Sequence, residues 1–71
     1  MAKAITGRRY RHFKGNEYTV IAVGKHTETL EEMVVYRDDD GKTWIRPKAD
    51  FEAAVIRDGK TFERFAMLKE E

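Results

Sequence analysis

The chain has no cysteine and no serine, a single proline, two histidines and no long apolar run. Without cysteine there is neither a disulfide framework nor a thiolate metal site, which points to a reducing, intracellular setting. The usual nucleophiles are missing too, and neither Thr27 nor Thr29 stands in a strained elbow that would activate its hydroxyl. No stretch approaches the roughly 18 apolar residues that cross a bilayer, and "MAKAITGRR" has no signal-peptide apolar segment. A cytoplasmic protein with no membrane role is the expectation. No Gly-rich phosphate loop is present. A metal site built from His12, His26 and Glu28 lacks any HxH or HxxxH spacing, so neither metal nor cofactor is expected.

Charge is plentiful and unevenly placed. Fourteen Lys and Arg face thirteen Asp and Glu, a net +1. Lys3, Arg8, Arg9, Arg11 and Lys14 fall within residues 1–16, which hold no acid, so the remainder of the chain is net −4. Such asymmetry suits a polyanion-binding end, or a basic arm that balances acids elsewhere in the fold.

With 71 residues the chain is expected to form one domain, ordered over about residues 7–68 with ragged ends. A chain this short buries only roughly 60% of the surface exposed when unfolded, so each large apolar residue matters. Apolar positions favour period two. "RYRHF" and "EYTVIAVGKHT" read as strands joined across Lys14-Gly15-Asn16-Glu17, where Gly and Asn accept positive φ. Alternation in the second places Tyr18, Val20 and Ala22 on one side and Thr19, Ile21 and Val23 on the other. "EEMVVYR" and "KTWIRP" follow, joined at Asp40-Gly41 and stopped at Pro47. In "KADFEAAVI" the period changes: Phe51, Ala54 and Val55 predict one short helix, capped by Asp50 or the preceding turn. Asp58-Gly59 turns into a last strand, "TFERFAML".

These elements predict an all-β fold, an SH3-like rolled-up barrel of about five antiparallel strands with one short helix before the last strand. A twisted antiparallel sheet with the helix packed on one face is the alternative. The expected core is Phe13, Val20, Ile21, Val23, Val34, Val35, Ile45, Phe51, Val55, Phe62, Phe65 and Leu68.

Three groups can carry recognition or chemistry. Tyr10, Arg11, His12 and Lys14 set a ring beside a guanidinium, an imidazole and an ammonium, fit to stack on a base or clasp a phosphate. The plain alternative is an amphipathic strand with Tyr10 half-buried and its neighbours solvated. His26 in "KHTETLEE" has Glu28 nearby as an acid–base partner. It can equally be a surface residue in a strand-end turn. "HTET" has no Gly, Asn or Asp, so its hydroxyls are expected to have a structural job. Tyr36, Trp44 and Arg46 form the third group: with Ile45 inward, Trp44 and Arg46 face out as a partner anchor. With Trp44 in the core, Arg46 merely pairs with an acid.

The order of these groups is familiar: Tyr10-Arg11-His12-Phe13-Lys14-Gly15, Tyr18, Val20, His26-Thr27-Glu28-Thr29-Leu30-Glu31 and Val34-Val35-Tyr36. Trp44, Arg46-Pro47, Phe51, Asp58-Gly59-Lys60 and Arg64-Phe65 complete it. From about Tyr10 to Leu68 the chain resembles a bacterial family of small domains of unknown function. The resemblance implies no activity. It does imply that Tyr10, Arg11, His12, His26, Glu28, Tyr36, Trp44, Arg46 and Arg64 belong to the family's pattern. The chain departs at "RDDDGKT", shorter and more acidic than the apolar, Tyr- and Gly-containing loop expected of relatives, and at Lys48-Ala49-Asp50. If that loop walls a ligand site, the site here is more open or differently selective.

The leading expectation is a non-catalytic recognition module. It would bind a nucleic acid or a peptide through Tyr10, Arg11, His12, Lys14, His26, Glu28, Tyr36, Trp44, Arg46 and Arg64. Basic residues with interleaved aromatics favour nucleic acid. The near-neutral total and Asp38 to Asp40 count against it. A small enzyme using His26 with Glu28, or a structural homodimer formed through a barrel edge, is the alternative.

Overall fold

The computed structural model describes residues 3–68. Seven strands and one short helix follow in order: β1 (Arg9–His12), β2 (Glu17–Lys25), β3 (Glu32–Asp38), β4 (Thr43–Pro47), α1 (Lys48–Glu52), β5 (Ala54–Arg57), β6 (Lys60–Glu63) and β7 (Phe65–Met67). Five form one antiparallel sheet in the order β4-β3-β2-β1-β7, and β5 and β6 form a separate hairpin. The fold is therefore all-β in the main, as expected, but it does not close into a barrel. β4 and β7 are the two edges of the sheet, and α1 packs against β3 and β4. That is the arrangement of the alternative.

The helix ends earlier than its periodicity suggests. It starts after Pro47, with no side-chain cap, and Asp50 lies inside its first turn. Ala53 is already extended, with φ −75° and ψ 148°. Val55 and Ile56 are β-branched, and β propensity wins once Asp58 and Gly59 offer a two-residue turn. Both turn residues have positive φ, 52° and 74°, the signature of a type I′ turn, and Arg57 pairs with Lys60 across it. So "KADFEAAVI" splits into half helix and half hairpin strand.

In the sheet, residues directly opposite share a face, and the register thereby fixes which side chains meet the core. Val20 lies opposite Tyr36, but Ala22 lies opposite Val35, leaving Ile21 as an extra residue in a bulge. Alternation along β2 is inverted there. Val20 and Val23 both reach the core face, whereas Ile21 and Ala22 turn outward. Trp44 opposes Tyr36 and Arg46 opposes Val34, so both share the core face. Ile45, opposite Val35, is 65% exposed on the other side. The inward Ile45 of the sequence reading is reversed for that reason.

The buried core is Tyr10, Val20, Val34, Tyr36, Phe51 and Phe65, with Ala4, Tyr18 and Val23 packed against it. Of the expected members, Val20, Val34, Phe51 and Phe65 are buried here and Val23 packs against them. Ile21, Ile45 and Phe62 are exposed, and Phe13, Val35, Val55 and Leu68 are half-buried. Tyrosines take the places of the missing aliphatics, because both rings lie on the core face and find polar partners for their hydroxyls. Phe51 and Phe65 stack in parallel at 4.0 Å, and Tyr36 meets both edge-on at 5.5 and 5.4 Å. Each fully buried ring or branched side chain contributes about 1.5–3 kcal/mol.

Candidate functional site

The site grows out of the turn quoted in the family-like opening. Gly15, at φ 110°, lets β1 reverse into β2. His12 N–H donates to Asn16 O at 2.8 Å and Gly15 N–H to His12 O at 2.7 Å. His12 Nδ1 accepts the backbone N–H of Lys14 at 3.2 Å, standing in for the side-chain oxygen of an Asx-turn. The stretch is thus both a hairpin turn and a display platform.

On the core face beside this turn lies a cavity of about 300 Å³. Every strand of the five-stranded sheet contributes to its wall: Trp44 and Arg46 from β4, Tyr36 from β3, Tyr18 from β2, His12 from β1 and Phe65 from β7. Phe13, Lys14 and Asn16 come from the turn, and Arg64 from the bend between β6 and β7. Among the described residues, no carboxylate lines it.

The rings hold one another in place. Tyr18 meets Tyr36 at 5.2 Å and Phe65 at 5.7 Å, and His12 meets Phe65 edge-on at 4.9 Å. Arg46 Nε donates to the Tyr36 hydroxyl at 3.2 Å, and its guanidinium lies 5.6 Å from the Phe65 centroid. Arg64 Nε is buried without a hydrogen-bond partner among the described residues. Trp44, 47% exposed, is fixed by its Nε1–H, which donates to Asp38 Oδ2 at 2.9 Å. Asp38 Oδ1 also accepts the backbone N–H of Asp40 and of Lys42, at 3.0 and 2.9 Å. The indole bond first, then those backbone bonds, hold the Asp38 carboxyl below its usual range.

Among the described residues, Lys14, Arg46 and Arg64 have no carboxylate within ion-pair distance. Their charge acts on His12 instead. Burial pushes its pKa below the ordinary histidine value, and Arg46, Arg64 and Lys14 push it further the same way. Burial and the three cations together disfavour the imidazolium, in a field that favours an anion.

Of the ten residues singled out from sequence, six meet here: His12, Lys14, Tyr36, Trp44, Arg46 and Arg64. Four do not. Tyr10 is fully buried; its hydroxyl donates to Lys3 O and accepts the Ile5 N–H at 2.8 Å, a job in the fold rather than at a surface. Arg11 pairs with Glu17 at 2.8 Å, and Glu17 also takes Arg9 at 3.2 Å. Those guanidiniums belong to the opposite face of the sheet, since Arg9 and Arg11 alternate with Tyr10. His26 and Glu28 follow the end of β2 opposite the β1–β2 turn and line no part of the cavity.

The His26 loop has its own logic. His26 Nδ1 accepts the N–H of Glu28 and of Thr29, at 3.1 and 3.3 Å, and Thr29 Oγ1 accepts the Glu31 N–H at 3.2 Å. The hydroxyl of "HTET" has the structural task the sequence suggested. Among the described residues, His26 makes no side-chain bond to the Glu28 carboxylate. Sequence reasoning gave no site role to Phe13, Asn16, Tyr18 or Phe65. By sequence Phe65 and Phe13 are core candidates, and only the strand order brings them into one cavity wall with Trp44.

Comparison with curated proteins and with solved structures gives no match. Residues 8–67, from just before β1 to the end of β7, match the model of the family described as protein of unknown function (DUF1653), and the chain belongs to that family.

Proposed function

We propose that this domain is a recognition module whose cavity binds single-stranded nucleic acid, phosphate toward the cationic rim and base against the exposed Trp44 ring. The observation that carries the reading is the cavity's lining: Lys14, Arg46 and Arg64 beside five aromatic rings, with no carboxylate partner and no acid among the described residues. A nucleotide brings a negative charge and a planar face together, which is what such a wall accepts. The sheet supplies the rigidity, since Tyr18, Tyr36 and Phe65 pack on one another and Asp38 fixes the Trp44 indole before any ligand arrives. Asp38, Asp39 and Asp40 lie to one side, in a depression shared with Asn16 and Glu17, and repel a strand running that way. They limit the footprint without entering the cavity.

Trp44 is the chain's one tryptophan, so its fluorescence reports on the site directly. Titration with short single-stranded DNA or RNA at low salt is expected to quench it, with affinity falling steeply as salt is raised. An acidic peptide serves as the contrasting ligand. No quenching by any oligonucleotide at low salt, or tighter binding of the peptide, overturns the nucleic-acid reading.

A further inference from the structure

A second groove, of about 430 Å³, lies past the end of β1 and shares two wall residues with the cavity, His12 and Phe13. Its other walls include Phe62 and Thr61 from β6, Ala66 from β7, and Gly15 from the turn. We infer that this groove is a second base-binding subsite, taking the next nucleotide of a strand whose first unit occupies the cationic cavity. The inference rests on the nucleic-acid reading above and adds a footprint and a direction to it.

Three observations carry it. First, the routes out of the cavity along the β1–β2 turn differ in charge. One leads through Asn16 to the depression of Glu17, Asp38, Asp39 and Asp40, which stays net negative after Arg9 and Arg11 pair with Glu17 and Asp39 and so disfavours phosphate. The other crosses His12 and Phe13, where cations attend the ridge: Lys14 Nζ and the Arg57 guanidinium each lie 5.9 Å from the Phe13 ring centroid. A polyanion leaving the cavity is steered over that ridge. Second, the groove beyond holds one cation and one anion, Arg11 and Glu63, and Arg11 is already paired with Glu17. It has no net charge to clasp a phosphate, so what it can take is the flat apolar part of a nucleotide. Third, Phe62 is 43% exposed at this wall, opposite Val55 in the hairpin, where an aromatic ring gains little from the core. A ring left exposed beside a cationic ridge is placed to stack on a base.

The test measures Trp44 fluorescence with 5′-phosphorylated deoxythymidine oligomers of one, two and three units at low salt. The second unit is expected to tighten binding about tenfold and the third to add little, because one groove accepts one base. Phe62→Ala is expected to erase the gain from the second unit while leaving affinity for the single nucleotide unchanged. Thr61→Asp, which keeps the ring but sets a negative charge in the groove, guards against a hairpin loosened by the first variant and is expected to do the same. If the single nucleotide binds but the second unit adds nothing, or its gain survives both variants, the second subsite is wrong and the cavity reading stands. If no oligomer of any length binds, both fall together.

Discussion

Two histidine turns in this molecule are built alike and placed differently. His12 and His26 each turn Nδ1 toward the backbone N–H two residues on, at 3.2 and 3.1 Å. Around His12 the five strands bring a cavity, three cations and five rings. Around His26 there is an exposed loop of Thr and Glu, with Leu30 held at φ 61° and 66% exposed. The comparison teaches that the local motif is a turn device in both cases. What makes one end a candidate site is the convergence of side chains distant in sequence.

The largest way to break this contrast is to remove the ring that both core and cavity share. Phe65→Ala should cost about 3–5 kcal/mol, since the ring is buried and stacked on Phe51. At the other end, Leu30→Gly should be neutral or slightly stabilising, because glycine accepts the positive φ. Urea unfolding of both variants measures the difference. Equal effects would show that the two ends are not distinct in packing.

Charge provides the next contrast. Arg64→Ala and Arg46→Ala are each expected to weaken oligonucleotide binding about tenfold and reduce the salt slope by about one. Lys25→Ala, beside His26, removes the same charge and should stay within about twofold. Loss of affinity from Lys25→Ala as large as that from Arg64→Ala would mean a diffuse electrostatic surface, not a site.

Acidity sharpens the comparison further. Folding holds His12 below its ordinary pKa. The unfolded chain therefore takes up the proton first, and stability should fall as pH drops below about 6.5. A bound phosphate acts oppositely, favouring the imidazolium, so affinity for oligonucleotide should rise over the same window. NMR titration of the His12 ring, free and bound, checks both signs. A midpoint that moves down on binding contradicts a phosphate near this ring.

The smallest expected effect lies in the His26 loop. His26→Asn keeps an acceptor for the Glu28 N–H and should change stability by less than about 0.5 kcal/mol, whereas His26→Ala should cost about 1 kcal/mol. Neither should alter oligonucleotide binding. A binding defect in His26→Asn would return this loop to the list of functional residues.

Much of the architecture was legible because turn chemistry is local. Gly15-Asn16, Asp40-Gly41 and Asp58-Gly59 all mark reversals, and Val34 with Tyr36 alternates inward as period two demands. The β5–β6 hairpin was also written in the sequence: β-branched Val55 and Ile56 precede Asp58-Gly59. Two alanines favoured helix over the same stretch, and that signal misled. The facing of β4 was not legible. "TWIRP" offers an aliphatic flanked by larger polar-tipped side chains, and either face suits a short edge strand. Only the pairing of Trp44 with Tyr36 decides it. Tyr10 illustrates the converse error, since its position among cations suggested a surface, yet its hydroxyl finds backbone partners inside. For the candidate site, residue types were readable and their convergence was not, because the strand order β4-β3-β2-β1-β7 is a property of the whole chain.

The bulge at Ile21 reaches beyond the strand that contains it. It acts as a one-residue phase shifter: upstream of it, side chains obey one inside–outside rule, and downstream they obey the complementary one. Excising that isoleucine would leave both halves of β2 facing as they do now, because Val20 opposite Tyr36, Ala22 opposite Val35 and Val23 opposite Val34 would then follow one another as an uninterrupted ladder. Ile21 is thus the one residue of β2 whose deletion keeps the whole register, and what would be lost is the local bend and twist that the extra residue adds.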